Sequence, residues 1–328
     1  MLTMTMRSLF STCVLLGLSA YLSDAVERCG TRLPDLDDYK AAAAAHEYRQ
    51  STSNSQVIPV CFHVPQLERH LQRPITNEDL QNELDSLNRA FTAASCCDPS
   101  FDWCTAGTCS VETGISFALA TISDQRHRSK VIGTTNSTSD PQACITRPQK
   151  RDRFLPWYRL HSRRWSRNVS HRSMKAKFRI GNERVLNVYL VYPLLYNNIE
   201  ILGYATFPWD YPDAPVLDGV VLHTESLRGG SFSNYNEGDT LVHEVGHWLG
   251  LFHTFQNGCF GGDGVTDTEP ERIPNQGCDP SQQRDTCIGG GLDPVFNFMN
   301  YSFDDCLYVF TSGQVDRMLD NIVAYRSP

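Results

Sequence analysis

The chain has 328 residues, enough for a sizeable core in one or two domains. Its composition, 41% hydrophobic and 20% charged, is that of a globular protein and excludes a low-complexity or fibrous chain. Twelve cysteines argue against a reducing cytosol.

The N-terminus indicates the compartment. Arg7 precedes an apolar stretch from Leu9 to Leu22 that is too short to span a bilayer. Small residues follow at Ser23 and Ala25, with Ala20 as an alternative cleavage position. Residues 1–25 therefore read as a signal peptide, and no later segment has the length and apolarity of a membrane span. A secreted, extracellular protein is expected. Cys13 leaves with that peptide, and ten cysteines between Cys61 and Cys306 suit five disulfides. Cys29 is left over, in Arg28-Cys29-Gly30-Thr31. The stretch that follows is poor in large apolar residues and ends in Ser51-Thr52-Ser53-Asn54-Ser55, so 26–55 reads as a propeptide with a flexible, cleavable end. A short helix is expected at His46–Arg49, and Arg49-Gln50 is the expected processing point.

From residue 56 the chain reads as one catalytic domain. Val57–Val64 alternates and is β-rich, a first strand. Thr76 opens a helix to about Ala93, with Leu80, Leu84, Leu87 and Phe91 on one face and acids in its first turn. Cys96, Cys97, Cys104 and Cys109 suggest a stapled loop or links to Cys61 and Cys144. Strands are expected at Ile115–Ile122, Val185–Tyr192, Leu202–Phe207 (an edge strand) and Asp218–Thr224. His63 and His223 fall in strands and read as satisfied core or edge histidines. Between them, residues 123–180 hold 15 of the 29 Lys and Arg against three acids. The 123–172 part reads as a basic, disordered loop insertion rather than a nucleic-acid patch, with N-glycan acceptors at Asn136 and Asn168. A retained intron near Arg151–Arg172 is the other explanation of its composition.

The next element carries the chemistry. A helix from about Asp239 contains His243-Glu244-Val245-Gly246-His247-Trp248-Leu249-Gly250-Leu251-Phe252-His253. His243 and His247, four apart, lie on one face of a helix. Gly250 can take the left-handed conformation that ends it, letting His253 return to the same ion. Three imidazoles leave an open position on zinc, the mark of a catalytic site. Glu244 is placed to act on the water rather than on the metal, as general base. The Cys29 thiolate is then a fourth ligand that would displace that water, a cysteine switch for latency. Asn297-Phe298-Met299-Asn300-Tyr301 follows a Gly/Pro-rich stretch. A last helix is expected over Ser312–Tyr325.

The elongated H-E-x-x-H-x-x-G-x-x-H pattern with a later Met-turn resembles the metzincin zinc peptidases. By that resemblance, Met299 is the methionine at the base of a turn beneath the metal, and the Tyr301 phenol, two residues on, suits an oxyanion donor. The order of Gly262–Thr268, Arg284–Cys287, Asn297–Tyr301 and Asp304-Asp305-Cys306 resembles the pappalysin family within them, and its secreted fungal-type extracellular metalloproteases. Leu202–Pro208 and Asp218–Val221 share the likeness, which covers 57–122 and 173–328. The chain departs at Asn300, where relatives often have Asp, and in the basic insertion. The resemblance implies an α+β fold: an upper subdomain with a twisted mixed sheet and two long helices, and an irregular, disulfide-clamped lower subdomain ending in a helix. It implies the disulfides Cys259–Cys287 and Cys278–Cys306, where spacing alone leaves three pairings open. A Gly-rich loop with acidic and carbonyl oxygens at 262–268 suits calcium, with Asp263 and Thr268 as contacts. Asp305, just before Cys306, suits the foot of a pocket for Arg or Lys after the scissile bond, with Asp304 as its competitor. The expected function is a secreted zinc endopeptidase with protein or peptide substrates, no nucleic-acid or membrane partner, and a monomeric state. The alternative is a non-catalytic secreted binding module on a peptidase scaffold.

Overall fold

A computed structural model of the chain describes residues 26–46, 55–64, 73–96, 109–122, 131–135, 143–147, 160–162, 169–196, 199–278 and 284–327. The expected signal peptide, the Arg49-Gln50 bond, Cys97, Cys104, Asn136 and Asn168 lie outside these residues.

Ten strands among the described residues form one mixed sheet. They are β1 (Val26–Cys29), β2 (Gln56–His63), β3 (Ile115–Ile122), β4 (Val131–Thr135), β5 (Ile145–Thr146), β6 (Leu160–Ser162), β7 (Leu186–Val191), β8 (Leu194–Tyr196), β9 (Ile199–Ala205) and β10 (Val220–His223). Their order is β4-β3-β2-β7-β10-β9-β8-β6, with β5 also beside β2 and β1 also beside β9. The centre, β3-β2-β7-β10, is parallel. Such strands are covered on both faces, and Leu186–Val191 is buried at every position. Asn187 in that strand is fully satisfied: it donates to the Ile180 and Val185 carbonyls and accepts from the Ile180 N–H. His63 and His223 are buried and paired, His63 with Thr146 and Asn187, His223 with Glu200 and the Glu225 N–H.

Two helices pack against each other and the sheet: α2 (Asn77–Phe91) and α4 (Asp239–Trp248), with α1 (Leu36–Ala45), α3 (Val169–Phe178) and α5 (Ser312–Asn321) elsewhere. Thr76 caps α2 through a reciprocal pair with Asp79. Leu80, Leu84, Leu87 and Phe91 are fully buried on its core face, as the periodicity predicts. The main core joins them to Leu241, Val242, Val245 and Trp248 of α4, and to Phe298, Met299 and Phe310 of the lower subdomain. The disulfides Cys61–Cys144, Cys96–Cys109, Cys259–Cys287 and Cys278–Cys306 are formed.

Most of the expected His46–Arg49 helix, Glu47–Arg49, lies outside the described residues, and two other sequence expectations need correction. The N-terminal segment also holds a helix not expected from its sequence, Leu36–Ala45. Asp35 caps it reciprocally with Asp38, and the alanine run, the best helix-forming sequence available, carries it. The 123–172 insertion is not structureless: β4 pairs with β3, β6 pairs with β8, and α3 begins at Val169. The Leu202–Phe207 strand is not an edge here. β9 has β10 antiparallel on one side and the N-terminal β1 parallel on the other.

Candidate active site

The α4 helix is buried from Thr240 to Trp248. Its ends are held by residues far away in sequence. At the N-terminus Gly238 offers no side-chain cap. The Asp304 carboxylate serves instead, accepting from the Glu237 N–H at 3.0 Å and from the Asp239 N–H. At the C-terminus Gly250 has φ +94°, and the Gly250 and Leu251 N–H groups bond back to the His247 and Gly246 carbonyls. Arg326 adds a cap there, donating to the Trp248 carbonyl and to Asp218 while its guanidinium lies 3.8 Å above the Trp248 ring. No local pattern in the sequence marks Asp304, Asp218 or Arg326 for these tasks.

The turn after Gly250 brings His253 back to His243 and His247. One ligand atom from each of these imidazoles, together with the Cys29 Sγ, falls in a group within 4.8 Å of one another. His247 Nε2 is 3.1 Å from His253 Nε2 and 3.5 Å from Cys29 Sγ. Tetrahedral zinc with ordinary bond lengths requires ligand separations of about 3.3–3.6 Å, so the donor set fits that ion. The far nitrogens are fixed as the chemistry needs. His243 Nδ1 donates to the Phe298 carbonyl and His247 Nδ1 to the Leu251 carbonyl, which leaves each Nε2 lone pair inward. Burial holds all three imidazoles below their usual range, neutral as ligation demands.

Met299 lies directly under this group. A Cβ on Gly246 would stand 2.4 Å from the Met299 sulfur, so only glycine lets the turn approach the helix. Asn297 and Gln314 exchange two hydrogen bonds beneath the turn. Asn300 is fully buried, and its amide donates to Glu271. An aspartate there would set two carboxylates together, so the departure at Asn300 matches its neighbour. The Tyr301 hydroxyl is 3.4 Å from His253 Nε2.

Glu244 is fully buried, and Oε2 accepts from the Thr31 hydroxyl at 3.0 Å. Burial pushes its carboxyl up to about 8, against the pull of Cys29, Thr31 and Arg28. The Ala205 N–H in turn donates to Thr31 Oγ1. Segment 28–31 therefore lies along β9 through the centre of the site, and Thr31 is a contact that sequence reading missed. Arg28 is also buried: it donates to the Ser302 carbonyl at 2.7 Å and pairs with Asp304 at 3.0 Å. Asp305 is exposed, whereas Asp304 is buried. The short helical turn Asp304–Cys306 points successive side chains apart, which composition alone cannot resolve. Burial and the Asp304 charge also push the Asp239 carboxyl well above its usual range.

In the lower subdomain, Asp263 is buried, with Oδ1 accepting from the Val265 N–H and Oδ2 without a hydrogen-bond partner among the described residues. Thr268 and Gln314 lie near it. Burial pushes the Asp263 carboxyl up to about 7.

Residues 170–323 match the family described as Pregnancy-associated plasma protein-A. The extracellular metalloprotease of Uncinocarpus reesii is 44% identical over 167 residues, 50% of this chain and 57% of that protein. Extracellular metalloprotease 1 of Coccidioides posadasii is 44% identical over 158 residues, 47% of this chain and 55% of that protein. The chain thus spans little more than half the length of these curated relatives. Among solved structures, mature mirolysin of Tannerella forsythia with a cleaved peptide matches with a TM-score of 0.60 and 28% identity, over 81% of this chain and 91% of that one. The promirolysin mutant E225A matches with a TM-score of 0.68 and 25% identity, over 91% and 94%. Residues 170–323, which hold the three converging histidines and the turn at Met299, thus resemble the metalloproteases of the pappalysin family.

Proposed function

We propose that this chain is the latent form of a secreted zinc endopeptidase. The observation that carries the reading is the convergence of His243, His247 and His253 beside a buried glutamate, with Cys29 as a fourth donor. When bound, zinc supplies Lewis acidity that polarises a peptide carbonyl and acidifies a water. The three imidazoles would hold it, with Cys29 as a fourth donor until the propeptide leaves. Glu244 then takes a proton from the attacking water and passes it to the leaving amine, and the Tyr301 hydroxyl donates to the developing oxyanion. In the latent form Thr31 occupies the carboxylate needed for that proton transfer.

Specificity rests on Asp304. A pocket that already holds the Arg28 guanidinium against a buried carboxylate selects Arg or Lys, because an apolar side chain would leave that charge unpaired. The segment after the Met-turn lines the side of the residue following the scissile bond, so Arg28 stands where that residue would bind. Asp305 lies at the exposed rim. From that assignment, a substrate crosses the site antiparallel to β9, whereas β1 runs parallel to it. The propeptide therefore fills the cleft in the reverse sense. Asp263, with Thr268 beside it, is proposed to hold calcium: a buried carboxylate oxygen lacking a partner is the feature that fits a cation.

Gelatin zymography with and without a chelator tests the activity. Cleavage-site profiling on a peptide library tests the pocket: Asp304→Asn should lose an Arg/Lys preference after the scissile bond that Asp305→Asn keeps. Cleavage unaffected by chelation, or a preference intact in Asp304→Asn, refutes the respective assignment.

A further inference from the structure

The propeptide carries a second arginine across the site. Beyond Cys29, on the side away from Asp304, the Arg32 guanidinium meets the Asp210 Oδ1 at 2.8 Å and lies 5.1 Å from the centre of the Phe207 ring. Its other partner, Asp38, belongs to the propeptide and leaves with it. Asp210 and Phe207 stay. Both are prearranged: the Phe207 N–H donates to Asp210 Oδ2, which leaves Oδ1 outward. The Phe207 ring stacks on Trp209 at 5.0 Å and meets the His247 ring edge-on at 5.8 Å. A carboxylate beside a fixed aromatic face is a receptor for a guanidinium or ammonium group. The Asp210 side chain is 31% exposed, so solvent screens the pair and its effect is modest.

The path of the chain places this receptor relative to the reacting bond. Cys29 is in register with Gly203 of β9, and the Ala205 N–H bonds Thr31, so Phe207 lies further along the same strand direction. Arg28 marks one side of the metal ligands and Arg32 the other. We propose that Asp210 and Phe207 form a second cation-binding subsite, taking an Arg or Lys of the substrate within the three residues before the scissile bond. The inference rests on the peptidase reading and on Asp304 marking the opposite side. It makes preferred substrates basic on both sides of the cleaved bond.

The test uses the full chain, expressed and allowed to process, as wild type and as Asp210→Asn. Asparagine keeps an oxygen for the Phe207 N–H and removes the charge. Two fluorogenic peptides differ only in having Arg or norleucine before the scissile bond, and the ratio of their kcat/KM values is compared within each variant. Wild type should favour Arg about fivefold, and Asp210→Asn should bring the ratio to about one. In library profiling the preference after the scissile bond should persist in Asp210→Asn. A wild-type ratio near one, or a ratio unchanged in Asp210→Asn, overturns the subsite. If a basic preference appears only before the bond, this subsite stands and the Asp304 reading fails. Loss of all chelator-sensitive cleavage removes the peptidase reading and this proposal together.

Discussion

The ion pair between Arg28 and Asp304 predicts how firmly the N-terminal segment is held. Both side chains are almost wholly buried, 2% and 1% exposed. Removing one partner of a buried pair costs about 3–5 kcal/mol, because the other charge is left without compensation. Asp304 keeps two backbone N–H donors at the start of α4, so the lower end applies to Arg28→Met, about 3 kcal/mol. At about 1.4 kcal/mol per factor of ten, that raises the fraction of molecules with the N-terminal segment released roughly a hundredfold. Cys29 reports the release directly, since its thiol is buried and is the free cysteine among the described residues. The rate of alkylation of Cys29, followed by peptide mass spectrometry on the unprocessed full chain, should rise about a hundredfold in Arg28→Met. A rise below threefold would refute the claim that this pair anchors the segment.

Glu244→Ala should keep one equivalent of zinc by metal analysis and lose peptidase activity by a factor on the order of 10²–10⁴, while His247→Ala should lose the metal. Gly246→Ala forces a methyl group against the Met299 sulfur and should lower stability by about 2 kcal/mol, read from the urea midpoint. The Glu83 carboxyl is pushed by burial up to about 7 from 4.5, so its folded form favours the protonated state. Its contribution is full below pH 4.5 and is lost as pH rises through about 7, so the stability gain of Glu83→Gln over wild type should grow from pH 5 to pH 9. Calcium added to stripped protein should raise the thermal midpoint of wild type but not of Asp263→Asn. Equal shifts in both would remove that site.

What the sequence disclosed was local. The spacing of His243, His247, Gly250 and His253 encodes a helix, its termination and a return of the chain, all within eleven residues. The apolar face of α2 and its Thr76–Asp79 cap are equally local. What stayed hidden joins residues separated by long stretches of chain. Thr31 meets Glu244 across 213 residues, and Arg28 meets Asp304 across 276. No periodicity encodes such contacts; they follow only from β1 lying on β9. Asp304 and Asp305 are chemically identical, and only the turn between Phe303 and Leu307 decides which one is buried. The Leu36–Ala45 helix is legible in its alanines but carries no long apolar stripe; it docks on Phe207 and Phe252 through Tyr39 and Ala42, with Ala45 also buried.

The segment lying against α4 and the side chain that closes its C-terminal end are made at very different times. Arg28, Cys29 and Thr31 precede the helix by more than two hundred residues, while Arg326 follows Trp248 by 78. During synthesis that N-terminal segment is therefore already outside the ribosome when the histidines emerge. The guanidinium that closes the last turn of the helix, and the buried Asp218 that needs it, must wait much longer. If Cys29 acts as the proposed latency switch, the helix thus gains its final support only after the segment that holds it inactive has been available throughout, and the order of translation adds to the strength of the contact in keeping the nascent chain latent.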